Sequence, residues 1–276
     1  MKTKIVADSS SDLLALEGVE FASVPLKIIT DKKEYVDDAS LDVAQMIEEL
    51  KEYKGRSYTS CPNVADWAEA FEDADRIFAV AITSGLSGSY GTAVQARQIC
   101  LEKHPEKQIY VIDSLSAGPE LVLIVEKLRE LIQKGESFES ICETIETYAH
   151  NAKLLFALES LHNFVQNGRI GKLAAVAAGV LGIRILGIAS EEGKLELLTK
   201  CRGAAKTIAG FISELKRIGY SGGKAIIGHC LNIEAAETLK QAILSEFGAV
   251  EIKIMPLRGL CSYYAEKGGL LLGFEC

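Results

Sequence analysis

Short apolar runs alternate with helix-like stretches in the first half of the chain, and this pattern predicts a parallel sheet. Each run is rich in β-branched residues and leads into a Ser-, Asp- or Gly-rich turn, as expected of βαβ units. The runs lie at 4–7, 76–82 and 108–112. Apolar residues spaced three and four apart predict helices at 41–53, 89–102, 117–134 and 137–149. Two further strand segments, joined by a turn, are expected at 24–30 and 34–36.

The pattern changes near residue 154, where we place a domain boundary. Beyond it, the polar turn Ser190–Gly193 separates two strand-like segments and predicts a hairpin. Strands are expected at 153–158, 183–188, 194–199, 224–229 and 250–255, and helices at 173–180, 204–217 and 233–247. The prediction is an α/β protein of two domains: a Rossmann-like parallel-sheet domain at 1–154, and an α+β two-layer domain at 155–276 whose strands form hairpins rather than crossovers.

Charge argues against nucleic acid as a partner. The chain of 276 residues carries 30 Lys+Arg against 38 Asp+Glu, a formal net charge of −8, and has no basic run. Binding to nucleic acid depends on neutralising phosphates with clustered cations, which this sequence lacks.

Cysteine and histidine usage predicts a cytoplasmic protein without a metal or other cofactor. The seven cysteines are odd in number and include no Cys-x-x-Cys pair, which fits free thiols in a reducing compartment. The four histidines are scattered and have no metal-ligand spacing.

The longest apolar tract does not predict a membrane span. It runs from Leu173 to Ala189 but contains Arg184 and three glycines, and a span needs about 20 predominantly apolar residues. We interpret it as a buried helix leading into a strand. The N-terminus shows no signal-peptide pattern, and no stable membrane insertion is expected.

Three hydroxyl-rich loops follow the predicted parallel strands, at Ser9–Asp12, Thr83–Ser89 and Ser114–Gly118. Ligands bind at the carboxyl edge of such sheets, so the loops predict a rim rich in hydrogen-bond donors. The loop Thr83–Ser89 is the most informative, because its glycines and the following helix N-terminus suit an anion. Helix capping alone would also explain any single one of these loops.

Sharper catalytic and phosphate-binding motifs are absent. Gly85-Leu-Ser-Gly88 resembles a nucleophile elbow, but Ser89 stands where the motif needs glycine. Neither a P-loop nor a dinucleotide fingerprint is present. A small acyl hydrolase using Ser87 remains an alternative, as does a binder of phosphorylated metabolites. The latter should place Lys or Arg near the Ser loops, and residues 83–92 contain none.

Taken in order along nearly the whole chain, several segments resemble motifs of the DegV family of bacterial fatty-acid-binding proteins. The matching segments are Asp8–Asp12, Thr59–Pro62, Ser84–Tyr90, Asp113-Ser114, Asn167–Gly171 and Gly182–Gly187. The resemblance implies two domains with an acyl chain buried at their interface. It implies no catalysis by this chain itself.

The resemblance also implies roles for particular residues. Thr59 and Ser87 would hold the carboxylate of a long-chain fatty acid, with Ser60, Ser84 and the backbone of Gly88 as neighbours. In well-studied members the acid is offered to a separate fatty acid kinase, which makes acyl phosphate for phospholipid synthesis. Arg202 resembles a family position linked to docking of that kinase.

One segment departs from the family pattern. Many members have Thr-His-Thr-Gly-Pro-Gly near the C-terminus, where this chain has Ser262–Gly269, and Tyr264 falls near the position of the histidine. A phenol can donate a hydrogen bond but is not cationic at neutral pH. We therefore expect hydroxyls and helix N–H groups to bind the carboxylate without a permanent cation, and residues 173–186 to supply part of the tunnel wall.

Overall fold

The computed structural model describes residues 1–171 and 182–276. The helix predicted at 173–180, and with it most of the predicted tunnel wall, lies outside the described residues. In the N-terminal part the elements are β1 (Thr3–Asp8), β2 (Glu20–Val24), β3 (Lys27–Ile29), β4 (Glu34–Val36), α1 (Val43–Glu52), β5 (Tyr58–Ser60), α2 (Val64–Ala70), β6 (Arg76–Ala81), α3 (Ser89–Lys103), β7 (Gln108–Asp113), α4 (Pro119–Gln133) and α5 (Phe138–Asn151). In the C-terminal part they are β8 (Ala152–Leu158), α6 (His162–Gln166), β9 (Ile183–Ala189), β10 (Leu195–Arg202), α7 (Ala204–Ile218), β11 (Ala225–His229), α8 (Ile233–Phe247), β12 (Ile252–Pro256), α9 (Gly259–Ala265) and β13 (Leu270–Glu275).

The predicted parallel sheet is confirmed. It has four strands in the order β2-β1-β6-β7, all parallel. Its side chains alternate between two cores, as a strand period of two requires. Val6 packs with Trp67 and Phe71 on one face, whereas Ile5 packs with Leu121 on the other. The edge strand β2 was not predicted, because its sequence Glu-Phe-Ala-Ser-Val has no sustained apolar run.

A six-stranded mixed sheet forms the C-terminal part, in the order β10-β9-β8-β13-β11-β12. The predicted hairpin is confirmed, since β9 pairs antiparallel with β10 around Ser190–Gly193. The expectation of hairpins alone is wrong, because β11 and β12 are parallel and are joined through α8. The boundary predicted after residue 154 falls inside β8, which begins at Ala152 and pairs along its length with β13.

A small antiparallel sheet of order β4-β3-β5 lies in the N-terminal part. The single strand predicted at 24–30 is divided: Val24 ends β2 in the parallel sheet, whereas Lys27–Ile29 is β3. Strand β5 has only three residues and pairs with β3, so that Thr59 lies opposite Ile28. This sheet brings Thr59 to the site described next.

Within residues 1–171 and 182–276, no helix combines the length and apolar character needed to cross a bilayer. In the same ranges, no group of three or more His, Cys, Asp or Glu side chains is arranged to hold a metal ion.

Candidate functional site

A cavity of about 300 Å³ lies between the mixed sheet and the loops of the N-terminal part. Ligand pockets in proteins occupy roughly 300–1,000 Å³, so the cavity is large enough for a small molecule. Most of its lining is apolar and comes from both parts of the chain: Leu26, Ile82, Leu86, Ala117, Leu154, Phe156, Leu158, Phe164, Leu195, Leu260, Cys261, Ala265 and Leu271. The remaining lining residues are Thr59, Ser60, Cys61, Ser87, Gly88, Arg169 and Tyr264.

Two of the polar lining residues already bond to each other. Thr59 Oγ1 lies 2.8 Å from the hydroxyl of Tyr264, whose ring packs against that of Phe164 in a tilted arrangement with centroids 4.6 Å apart. Burial raises the pKa of the Tyr264 phenol, although the bond to Thr59 and the nearby Arg169 oppose this shift. The phenol is therefore protonated at neutral pH and can donate a hydrogen bond into the cavity.

The loop before α3 supplies Ser87 and the backbone of Gly88. Thr83 organises this loop, because its carbonyl accepts hydrogen bonds from the N–H groups of Leu86 and Ser87. Ser87 Oγ accepts a bond of 3.3 Å from the N–H of Ser89, the first residue of α3. Ser87 thus both accepts the N–H of the first residue of α3 and lines the cavity, where the helix N-terminus favours negative charge.

Arg169 is a cation that the sequence analysis did not nominate. Its Nε donates to the carbonyl of Leu86 at 2.9 Å, and its Nη1 donates to the carbonyl of Asn167 at 3.0 Å. Gly168 has a φ of +68°, which lets the chain reverse after α6 and returns Arg169 toward the cavity. The expectation that the site lacks a permanent cation is therefore wrong. Arg169 belongs to the segment Asn167–Gly171, which resembles a DegV motif, so a signal for this cation is present in the sequence.

The structure brings together five of the six nominated ligand-binding residues and leaves the sixth outside. Thr59, Ser60, Ser87, Gly88 and Tyr264 all line the cavity. Ser84 is exposed and absent from the described lining; its backbone N–H donates to Asp113 Oδ1 at 3.1 Å. Arg202, nominated for partner docking, is exposed at the end of β10.

The other two hydroxyl-rich loops do not form the expected donor rim. Ser9, Ser10 and Ser114 are at most 2 % exposed. Their hydroxyls bond within the fold: Ser10 Oγ donates to Asp8, and Ser114 Oγ donates to a backbone carbonyl. Of the three hydroxyl-rich loops, the loop before α3 is the one that contributes a hydroxyl, that of Ser87, to the described cavity lining.

Helix α9 carries Tyr264 and is anchored by two buried carboxylates. Asp37 Oδ1 and Oδ2 accept the N–H groups of Gly259 and Leu260 at 2.9 and 2.8 Å. Asp12 Oδ1 accepts the N–H of Arg258 at 2.6 Å. A Cβ at position 259 would lie 2.7 Å from the Asp37 carboxylate, so glycine is needed there for the close approach.

Asp12 gives the folded protein an unusual response to pH. Burial raises its pKa to about 8, although the hydrogen bond from the Arg258 N–H opposes this shift. In the unfolded chain the carboxyl group loses its proton near pH 4. Between pH 4 and 8 the folded state therefore binds more protons, and the contribution of Asp12 to stability falls as pH rises.

We expect Asp12→Asn to stabilise the protein at pH 8 by at least about 1 kcal/mol, since one pKa unit corresponds to about 1.4 kcal/mol. Asparagine keeps the acceptor for Arg258 and tolerates the left-handed φ of 55° at this position. Melting temperatures measured from pH 5 to 8 should fall less steeply for the variant than for the parent chain. The exposed Glu17→Gln is the control, and equal slopes for all three proteins would contradict the assignment.

The fold and the cavity define a class of protein: an α/β fold with a parallel and a mixed sheet, and a mostly apolar cavity whose lining includes hydroxyl groups and one arginine. The family model for DegV proteins matches residues 2–274, and the chain belongs to the DegV family. A DegV domain-containing protein of Streptococcus pneumoniae (strain ATCC BAA-255 / R6) is 46% identical over 279 residues, covering 100% of this chain and 99% of that protein.

Two solved structures are similar over almost the entire chain. The fatty acid kinase (Fak) B3 protein of Streptococcus pneumoniae, loaded with linoleic acid, has a TM-score of 0.97 and 46% identity, covering 100% of this chain and 99% of that chain. A DegV family protein of Eubacterium eligens, loaded with heptadecanoic acid, has a TM-score of 0.96 and 44% identity, covering 99% of both chains.

Proposed function

We propose that this protein binds a long-chain fatty acid in the cavity and presents its carboxylate to a separate fatty acid kinase. The observation that carries the proposal is the composition of the cavity lining, which is mostly apolar but includes a few polar residues and one cation. Most of the wall is apolar, whereas Thr59, Ser87, Tyr264 and Arg169 supply donors and a positive charge. Each buried methylene is worth about 0.8 kcal/mol. A carboxylate without partners in such a site would cost several kcal/mol, and these donors remove that cost.

The relatives support both parts of this proposal, because two similar proteins hold fatty acids and one of them is a B protein of a fatty acid kinase. We propose that the acyl chain lies between domains close to the predicted ranges 1–154 and 155–276. Arg202 is our candidate for contact with the kinase, and the cytoplasm is the compartment that the free cysteines favour.

A carrier accounts for the surroundings of Ser87 better than an acyl hydrolase does. A serine nucleophile needs a base within hydrogen-bond reach and a group to orient that base. The described residues that line the cavity include no histidine, aspartate or glutamate. The hydroxyl of Ser87 accepts a hydrogen bond from the backbone N–H of Ser89 and not from the side chain of a base.

Arg169 also bears on the remaining alternative, a binder of phosphorylated metabolites. A binder of phosphorylated metabolites needs a cation beside the loop Thr83–Ser89. Arg169 is such a cation, because it bonds to the carbonyl of Leu86 in that loop. The rest of the lining favours the fatty acid, because a sugar phosphate would leave its hydroxyls facing leucines and phenylalanines without partners.

Mass spectrometry of lipid extracted from protein purified under native conditions tests the proposal. We expect close to one equivalent of a long-chain fatty acid. Calorimetry with palmitate and with a sugar phosphate, after removal of lipid, provides the second measurement. Heat from the sugar phosphate alone would favour the alternative, and an absence of binding to palmitate would overturn the proposal.

A further inference from the structure

One strand supplies alternate side chains to the cavity wall. Leu154, Phe156 and Leu158 of β8 line the cavity, whereas Leu155 and Ala157 pack into the core on the opposite face of the sheet. This alternation follows from the strand period of two. Phe156 is the only aromatic member of this row on β8, and it is 2 % exposed.

The ring of Phe156 lies against a glycine on the neighbouring strand. Phe156 is opposite Gly187 of β9 in the register of the sheet. A Cβ at position 187 would come within 2.3 Å of Cζ and 2.6 Å of Cε2 of the Phe156 ring. The Phe156 ring therefore occupies the space that any side chain at 187 would need, and it packs against the neighbouring strand β9.

Gly187 is required for space and not for backbone conformation. It is absent from the described glycines with positive φ, so an L-residue could adopt its backbone angles. The same Cβ would lie 2.5 Å from the carbonyl oxygen of Glu196 on β10. A side chain at 187 would therefore push the Phe156 ring toward the cavity and would also require the β10 backbone at Glu196 to move.

We propose that Phe156, which packs against Gly187, determines the length of acyl chain that the cavity accepts. The inference rests on the proposed function. It assigns the choice of acyl-chain length to one part of the site. The polar lining groups come from β5, the loop before α3, Arg169 and α9, whereas Phe156 belongs to a row of three apolar side chains on β8. A smaller residue at 156 lengthens the space for the tail, and a ring displaced from Gly187 shortens it.

The test compares dissociation constants for myristic, palmitic and stearic acids, measured by calorimetry on delipidated protein. Each additional buried methylene strengthens binding by about fourfold. Phe156→Leu frees roughly the volume of one methylene, and we expect it to shift the stearate-to-myristate preference about fourfold toward stearate. Phe156→Trp and Gly187→Ala should shift the preference toward myristate by a similar or larger factor.

Phe274→Leu is the matched control. Phe274 is fully buried on the same sheet but packs in the core on the opposite face, so the same atoms are lost away from the cavity. Its preference should equal that of the parent chain. If one Phe156 variant fails to fold, the other still decides, because the two are expected to shift the preference in opposite directions.

The outcomes separate this inference from the function on which it rests. If the parent chain binds none of the three acids, the proposed function is overturned. If the parent chain binds them and every folded variant at 156 and 187 keeps the parental preference, only the role of Phe156 is overturned.

Discussion

Replacing Thr59 with valine and Ser87 with alanine in one chain is expected to weaken fatty acid binding at least tenfold. Each hydroxyl would donate a charge-assisted hydrogen bond to the carboxylate, and such bonds contribute about 1.5–3 kcal/mol. Loss of both at the lower figure would weaken binding about a hundredfold. Part of this loss is recovered where water reaches the carboxylate, and the exposed position of Gly88 indicates that water is close.

Isothermal calorimetry with palmitate measures this effect. Ser84→Ala is the matched control, because it removes a hydroxyl from the same loop at an exposed position outside the cavity lining. Tyr264→Phe is the second control: Thr59→Val also deprives the Tyr264 hydroxyl of its partner at 2.8 Å. If Thr59→Val weakens binding no further once Tyr264 is phenylalanine, Thr59 acts by orienting Tyr264. Unchanged affinity in the double variant would place the carboxylate elsewhere.

The parallel sheet and Ser87 could be predicted because their signals are local. Apolar runs followed by Gly- and Ser-rich turns define β1, β6 and β7, and such strands must end at one edge of a sheet. The loop Thr83–Ser89 carries its own turn and helix start within seven residues. Nothing distant is needed to place Ser87 at that edge.

The rest of the site depends on contacts between distant segments. Arg169 reaches the cavity because its guanidinium bonds to the carbonyl of Leu86, 83 residues away in the chain. Strand β5 is too short to carry a periodic pattern and exists through its pairing with β3. The burial of Asp12 and Asp37 also could not be predicted from the sequence, because acidic residues are usually exposed. The partners of these two carboxylates are backbone N–H groups more than 200 residues away.

Asp37→Ala is expected to destabilise the protein by about 3–5 kcal/mol, the usual cost of removing one partner from a buried charged network. The variant leaves the N–H groups of Gly259 and Leu260 without their acceptor. It also removes the carboxylate that faces the guanidinium of Arg258 at 3.9 Å. For a chain of this size, the loss corresponds to a fall in melting temperature of about 10 °C.

Thermal and urea unfolding measure the loss, with Asp38→Ala as the matched control. Asp38 has the same charge one residue further on, but its carboxylate bonds only with Ser40 among the described residues, on the protein surface. Loss of that local contact should cost about 1 kcal/mol or less. Because Asp37 holds the first turn of α9, the variant should also bind palmitate more weakly through displacement of Tyr264. Equal destabilisation by the two substitutions would mean that removal of charge, and not the anchoring of α9, explains the effect.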